Sequence, residues 1–277
     1  MADRQRARLT ALVPCGNEER VIRGCLESVR FADEVLVVLD AASTDRSREI
    51  CEEVADRVLV HEYVDSATQK NWAIPQAAEP WVVVVDADER VTPELRERIL
   101  EVLAEDGGGC DGYIIRRENL YYGKPVKHGG WHADYLLRLF RRDVGRYQQL
   151  RVHADVEVPG KVGRIEAPFL HDTHRGMRPY LTKFDRYTTW AAEDLFKQGR
   201  KPTWSQLFFR PWFRFLKMYV LRLGFLDGMR GLLIAGSAAM VVFTKYAKLW
   251  EMHYLRSKGR DALAETDVRG AEEGAPR

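Results

Sequence analysis

Residues 81–90 read Trp81-Val82-Val83-Val84-Val85-Asp86-Ala87-Asp88-Glu89-Arg90, and the reading of this stretch decides the fold. Successive valines with no polar alternation describe a strand buried on both faces, as the strands of a parallel sheet usually are. The apolar run breaks into Asp86 and Asp88, two carboxylates at the strand's carboxyl end. That edge is where open α/β sheets bind ligands. Acids converging there suit a hard divalent cation, because Mg²⁺ takes one or two carboxylates and keeps its other positions for oxygens such as those of a diphosphate. The plain alternative is that acids return the chain to water, since 41 of the 277 residues are Asp or Glu.

The same pattern occurs twice more. Leu9-Thr10-Ala11-Leu12-Val13-Pro14 runs into Cys15-Gly16-Asn17-Glu18-Glu19, and Glu34-Val35-Leu36-Val37-Val38-Leu39 runs into Asp40-Ala41-Ala42-Ser43-Thr44-Asp45. Val21, Ile22, Cys25, Leu26 and Val29 then recur at helical spacing, as do Ile50, Cys51 and Val54 after Ser43. Thr92-Pro93-Glu94 opens a further helix carrying Leu95, Ile99, Val102 and Leu103. Strand, polar loop and helix in repetition predict a parallel sheet whose loops gather on one edge. Asn17, Glu18, Asp40, Asp86 and Asp88 would converge there. Each also has a structural reading: Asn17 and Ser43 as helix N-caps, Glu18 and Glu19 as complements of a helix dipole, Asp40 as a turn cap.

The loops exclude some classes. No Gly-x-Gly-x-x-Gly follows the first strand, and no Gly-x-x-x-x-Gly-Lys-Ser/Thr occurs, which argues against a dinucleotide-dependent dehydrogenase and a P-loop ATPase. The first loop also lacks the glycine-rich, arginine-bearing character of sugar nucleotidyltransferases.

Val13-Pro14-Cys15-Gly16-Asn17-Glu18-Glu19 resembles the opening motif of family 2 glycosyltransferases, which have the GT-A fold, a Rossmann-like, mostly parallel sheet flanked by helices. Asp40 to Asp45 resembles their second nucleotide-binding loop, and Asp86-Ala87-Asp88 their metal motif. Gln69-Lys70-Asn71 and Arg138-Leu139-Phe140-Arg141-Arg142 narrow the resemblance to the bacterial lipopolysaccharide-core branch, typified by β-1,4-glucosyltransferases. The similarity extends to about residue 256. It implies inverting transfer of a sugar from a nucleotide sugar, a UDP-sugar by expectation, to a glycan or glycolipid hydroxyl. Two departures stand out. Ala41 replaces an acid often found near the base, and Val152-His153-Ala154-Asp155 stands where the branch usually has Val-His-Glu. No Gln-x-x-Arg-Trp occurs, which favours transfer of single residues over processive synthesis.

The resemblance implies a site. Pro14, Asn17, Glu18, Asp40, Lys70, Asp86 and Arg138 would bind the nucleotide sugar, with Lys70 and Arg138 on diphosphate oxygens unless they are solvated surface. Asp88, with Asp86 and the late His171, would hold a divalent cation, Mg²⁺ or Mn²⁺; Asp86 could act instead by way of the donor ribose, and His171 could simply be hydrogen-bonded at a strand end. For the base that takes the acceptor's proton, Asp155 comes first, with Asp134 and Glu157 behind it. Trp131 could stack on a sugar or belong to a core.

The four cysteines, at 15, 25, 51 and 110, show no Cys-x-x-Cys spacing and read as reduced, buried thiols. The first residues lack the apolar segment of a signal peptide. Residues 201–260 carry eleven Lys+Arg against Asp227 and Glu251, interleaved with Trp204, Phe208, Phe209, Trp212 and Phe213. That mixture predicts a helix lying in a membrane interface and drawn to anionic lipid. The apolar run Leu232 to Phe243 is shorter than the ~20 residues that span a bilayer. The alternative is a helical hairpin with its basic face in water.

The expected architecture is a GT-A domain over 1–175, with a nucleotide-sugar half to about 110 and an acceptor half over 111–175. A helical region follows over 176–256 and a disordered tail over 257–277. The enzyme would sit peripherally on the cytoplasmic face of the bacterial inner membrane, with no nucleic-acid partner. The other readings are a non-catalytic nucleotide-sugar-binding or scaffold protein at the membrane and a sugar nucleotidyltransferase.

Overall fold

The structure is a computed structural model that describes residues 6–131, 134–150, 154–174 and 176–265. The chain divides into two units, Met1–Leu120 with Ala133–Thr173, and Tyr121–His132 with His174–Arg277. In chain order the elements are β1 (Leu9–Cys15), α1 (Ile22–Ser28), β2 (Glu34–Asp40), α2 (Ser47–Val54), β3 (Arg57–His61), α3 (Ser66–Ala73), β4 (Trp81–Val84), β5 (Glu89–Val91), α4 (Pro93–Ala104), β6 (Gly112–Tyr121), β7 (Lys124–Pro125), β8 (Asp134–Arg141), β9 (Arg146–Tyr147), β10 (Val156–Glu157) and β11 (Val162–His174). The helices α5 (Met177–Lys197), α6 (Trp204–Leu216), α7 (Met229–Ser257) and α8 (Ala262–Glu265) follow.

The large sheet runs β3-β2-β1-β4-β8-β6-β11-β5. Strands β3, β2, β1 and β4 are parallel, with Pro14 opposite Val38 and Leu12 opposite Val84. From β4 outward the pairing turns antiparallel, with Val83 opposite Leu139 and Arg117 opposite Asp134. The loops after β1, β2 and β4 therefore leave the sheet side by side, as the repeating pattern predicts.

The valine run is buried on both faces. Val83, with Ala11, Val13, Val35 and Val37, packs against Ile22, Leu26, Cys51, Leu95 and Ile99 on one side. Val82 and Val84, with Leu12, Leu36 and Val38, pack against Ala67, Ala73, Ile74 and Phe140 on the other. Alternate residues thus feed two cores, and each fully buried valine contributes roughly 1.5–3 kcal/mol. Trp81 anchors the strand's start by donating its indole N–H to Asp106 Oδ1 at 3.0 Å. The neighbouring Gly107 has φ +79, and a Cβ there would run into the Trp81 ring. Helix α4 starts as its sequence promises, with Pro93 in the first turn and the Thr92 hydroxyl accepting from Leu95 N at 3.1 Å. All four cysteines are free and buried.

The helix expected directly after Asn17 begins only at Ile22, and α2 begins at Ser47 behind Arg46. Neither Asn17 nor Ser43 is an N-cap. Asn17 lies at φ +54, a left-handed conformation that an N-cap does not adopt, and Ser43 sits in the turn closed by its own N–H on Asp40 O.

In the helical unit, Ala192 of α5 packs with Tyr246, Leu249, Met252 and Leu255 of α7, and Tyr121 and Val126 pack with Met218, Ile234 and Ala235. Residues 121–131, expected in the acceptor half of the catalytic domain, group here with the C-terminal helices. Helix α6 buries no residue, and Trp204, Phe208, Phe209, Trp212 and Phe213 are all exposed. The sequence reading undercounts α7. The twelve-residue apolar run sits within a 29-residue helix, which by length and composition is long enough to cross a membrane, with 22% of its most apolar window buried. Of the expected tail 257–277, residues from 266 onward lie outside the described residues.

Candidate active site

The first two loops are stitched to each other. The left-handed turn at Asn17 points its Oδ1 at the second loop, where it accepts from Thr44 N at 2.9 Å and Asp45 N at 3.3 Å. Glu18 N donates to Ser47 Oγ at 2.7 Å and Glu19 N to Asp45 Oδ2 at 2.9 Å, while Asp45 Oδ1 accepts from Ser47 N. Asp40 ends β2 and uses Oδ1 within the loop, accepting from Ala42 N at 3.1 Å and Tyr63 N at 3.3 Å. Its turn-capping and site readings are compatible, because Oδ2 faces Gly16. A Cβ at Gly16 would stand 3.1 Å from Asp40 Cβ, 3.6 Å from Asp40 Oδ2 and 3.8 Å from Ser43 Oγ. The Ser43 hydroxyl is buried without a hydrogen-bond partner among the described residues. The glycine thus lets the first loop pass close against Asp40 and the buried Ser43 hydroxyl.

Behind the third loop lies a chain of alternating charges. Lys70 Nζ of α3 is 2.7 Å from Asp86 Oδ1, and Arg138 of β8 reaches Asp86 Oδ2 at 2.5 Å and Glu89 Oε1 at 3.1 Å. Arg117 of β6 joins Glu89 Oε1 at 3.3 Å to Asp134 Oδ2 at 2.6 Å. Glu89 is wholly buried, and its other oxygen accepts from Asp86 N at 3.0 Å. Burial pushes the Asp86 carboxyl up, but the Arg138 guanidinium and the Lys70 ammonium more than reverse this and hold it well below the usual carboxylate range. Burial likewise lowers Lys70, and Asp86 beside it restores it to above its ordinary value. Both cations remain charged and face Asp86. Arg138 also leaves its Nε buried without a partner among the described residues.

Asp88 lies on the other side of the motif. His171 of β11 brings Nε2 to 3.6 Å from Asp88 Oδ1, and its Nδ1 is 2.7 Å from Asn119 Oδ1. The backbone ties the same strand down, Asp172 N donating to Asp88 O at 3.1 Å. A carboxylate and an imidazole nitrogen at this spacing form a donor set that fits a borderline cation such as Mn²⁺. No cluster of three or more His, Cys, Asp or Glu with metal-holding geometry occurs among the described residues. A cation here would therefore draw its remaining ligands from diphosphate oxygens and water, the usual habit of Mg²⁺ sites.

The remaining sequence candidates separate. Pro14 lies in β1 opposite Val38, next to the first loop. Asp155 is exposed, and its backbone pairs with Gln148, Gln148 N donating to Asp155 O at 2.9 Å. Val152 and His153 of the same motif lie outside the described residues. Asp134 is engaged by Arg117 and by Asn119 Nδ2 at 3.2 Å. Glu89, Arg117 and Asn119 were not singled out by the sequence, and Asp45 entered only as the end of the Asp40–Asp45 loop. Of the first three, Glu89 carried a signal, as the acid that follows Asp86-Ala87-Asp88.

Residues 10–159 match the family described as glycosyl transferase family 2. The lipopolysaccharide core biosynthesis glycosyltransferase LpsC of Rhizobium meliloti is 30% identical over 266 residues, covering 92% of this chain and 97% of the relative. An uncharacterized glycosyltransferase of Rickettsia felis is 25% identical, covering 93% of this chain and 94% of that protein. The solved structure of S. aureus TarS 1–349 in complex with UDP-GlcNAc is 15% identical, covers 91% of this chain and 92% of its own, and superposes with a TM-score of 0.48.

Proposed function

The chain belongs to glycosyl transferase family 2, and we propose that it transfers one sugar from a UDP-sugar, with inversion, to a hydroxyl of a lipopolysaccharide-core or similar glycolipid. The observation that carries this reading is the gathering of the loops after β1, β2 and β4 on one sheet edge, the first two stitched to each other, with Asp40 at the start of the second loop and the Asp88–His171 pair beyond β4. The acceptor class follows the name of the Rhizobium meliloti relative, to which the chain is similar over nearly its whole length.

The residues divide the work. Asp40 Oδ2 meets the nucleoside, and Asn17 and Glu18 keep the two loops in register. Asp86, with its oxygens drawn to Lys70 and Arg138, serves the donor ribose rather than the cation. Lys70 and Arg138, expected on the diphosphate, first hold Asp86 in place. Asp88 and His171 hold a divalent cation, Mg²⁺ or Mn²⁺. When bound, the cation supplies charge neutralisation for the departing diphosphate. Asp155 takes the proton from the acceptor hydroxyl as its oxygen attacks the anomeric carbon opposite the diphosphate, which inverts that centre. Asp134 is a poor base because Arg117 and Asn119 occupy it. The aromatic, basic helices dock on the anionic cytoplasmic face of the bacterial inner membrane, where a lipid-linked acceptor resides.

Incubation with a panel of nucleotide sugars, divalent cations and core-glycolipid acceptors tests this. Cation-dependent release of nucleoside diphosphate is expected. Asp88→Asn should keep the melting temperature and lower turnover by about 10³-fold, equivalent to about 4 kcal/mol of transition-state charge stabilisation. Full turnover in excess chelator would sink the cation assignment. Binding without turnover, with the true acceptor supplied, would favour a scaffold.

A further inference from the structure

We propose that Asn119 is a positioning residue that fixes the ring proton of His171 on Nδ1, leaving Nε2 as a lone-pair donor on the Asp88 side. The proposal rests on the cation reading for its purpose, but the tautomer itself follows from hydrogen-bond bookkeeping alone. Asn119 is buried on β6, between Asp134 and His171. The two ends of an amide have the same shape, so its orientation is decided by what its partners can give and take.

The chain starts at Arg117, which donates Nε and a terminal N–H to Asp134 Oδ2 at 2.8 and 2.6 Å. Arg117 and Asp134 are register partners on β6 and β8, so the sheet itself sets this pair. A carboxylate held by a guanidinium only accepts. Asn119 must therefore turn its NH₂ to Asp134, at 3.2 Å, and its carbonyl oxygen to His171 Nδ1, at 2.7 Å. A carbonyl also only accepts, so Nδ1 carries the hydrogen. The neutral ring then has a bare Nε2, and this is the atom 3.6 Å from Asp88 Oδ1, outside hydrogen-bond range. An outer partner that sets the tautomer of a ligating histidine typically alters metal affinity 10–100-fold when removed.

Titration calorimetry of the full chain with MnCl₂, in the presence of UDP, supplies the first readout. Asn119→Leu should weaken Mn²⁺ binding by about 10–100-fold with the protein still folded. Asn119→Asp alone should also weaken it, because it sets one carboxylate against another, and Asp134→Asn alone should too, because it takes the carboxylate from Arg117 and from the Asn119 amide. The double variant, which exchanges amide and carboxylate, again presents an acceptor-only group to His171 and should bind more tightly than either single variant. The second readout needs no variant to fold except for assignment. ¹⁵N NMR of histidine-labelled, metal-free protein, with His171→Gln identifying the resonance, should show the Nδ1–H tautomer. A predominant Nε2–H tautomer overturns the proposal, as does wild-type Mn²⁺ affinity in Asn119→Leu. If His171→Gln binds Mn²⁺ as well as the wild type does, the cation reading falls, and the spectrum alone decides the tautomer.

Discussion

The sheet unit buries Glu89 completely and leaves Arg138 only 4% exposed, whereas the helical unit leaves Trp204 88% and Phe209 66% exposed. One unit hides charge and the other displays apolar surface, the reverse of what water alone would favour. The charges are tolerable because they alternate: Lys70, Asp86, Arg138, Glu89, Arg117 and Asp134 each face an opposite partner. The displayed aromatics have no such internal answer, since α6 buries nothing. Moreover, Asp227, one of the two acids among residues 201–260, is turned inward, its carboxylate accepting from His128 N at 2.8 Å. Outside, the exposed Glu251 is then the one acid of the segment left among aromatic and basic residues. On the proposed function, the contrast gives holding work to the buried charges, chemistry to the exposed Asp155, and membrane contact to the displayed rings.

The sharpest break in that contrast lies between Asp155 and Asp134. Asp155→Asn should lower turnover by about 10²–10⁴-fold, the usual worth of a general base, with donor binding and stability unchanged. Asp134→Asn should lower stability and cation affinity instead. If single-turnover assays give Asp134→Asn the pattern expected of Asp155→Asn, the inner charges do chemistry and the division fails.

Glu89 measures how much the buried charges hold. Glu89→Ala takes one of two carboxylate partners from each of Arg117 and Arg138 and leaves the Asp86 amide without its acceptor, and breaking a buried pair costs up to about 3–5 kcal/mol. Urea unfolding should show that loss, and a smaller one for Glu89→Gln, which keeps its acceptor oxygen. A loss below about 1 kcal/mol, the range of exposed pairs, would mean that water already reaches the chain of charges.

The smallest expected effect concerns the helical unit. Vesicle co-sedimentation should rise with anionic lipid and fall with salt, and each basic residue near the surface contributes about 1 kcal/mol. Arg214→Gln combined with Lys217→Gln should therefore weaken association by about 2 kcal/mol while sparing turnover on a water-soluble acceptor. Equal partitioning onto neutral vesicles would remove charge from the account. No binding to either would assign the exposed rings to something other than lipid.

The parallel half of the sheet was legible because β1, β2 and β4 are continuous apolar runs that end in polar loops. The antiparallel half was not, because β6 and β8 mix apolar residues with Arg116, Arg117, Asp134 and Arg138, whose partners lie on other strands. Glu89 was hidden for the same reason: its two arginines are contributed by β6 and β8, far away in sequence. The cap offered as an alternative for Asn17 fails, since residue type does not reveal a backbone turned to φ +54. The length of α7 escaped a count of consecutive apolar residues, which stops at Thr244 although the helix does not.

The seam between the first two loops is sewn mainly through backbone amides. Ala41 contributes only its N–H, to His61 O at 3.0 Å, and Ala42 only its N–H, to Asp40 Oδ1. Both side chains are exposed and bear no load. Replacing these two side chains therefore leaves the hydrogen bonds of the seam in place. On the proposed function, an acid absent at position 41 is in this sense a change of taste rather than a structural loss, and donor preference is free to drift there while the scaffold stays fixed.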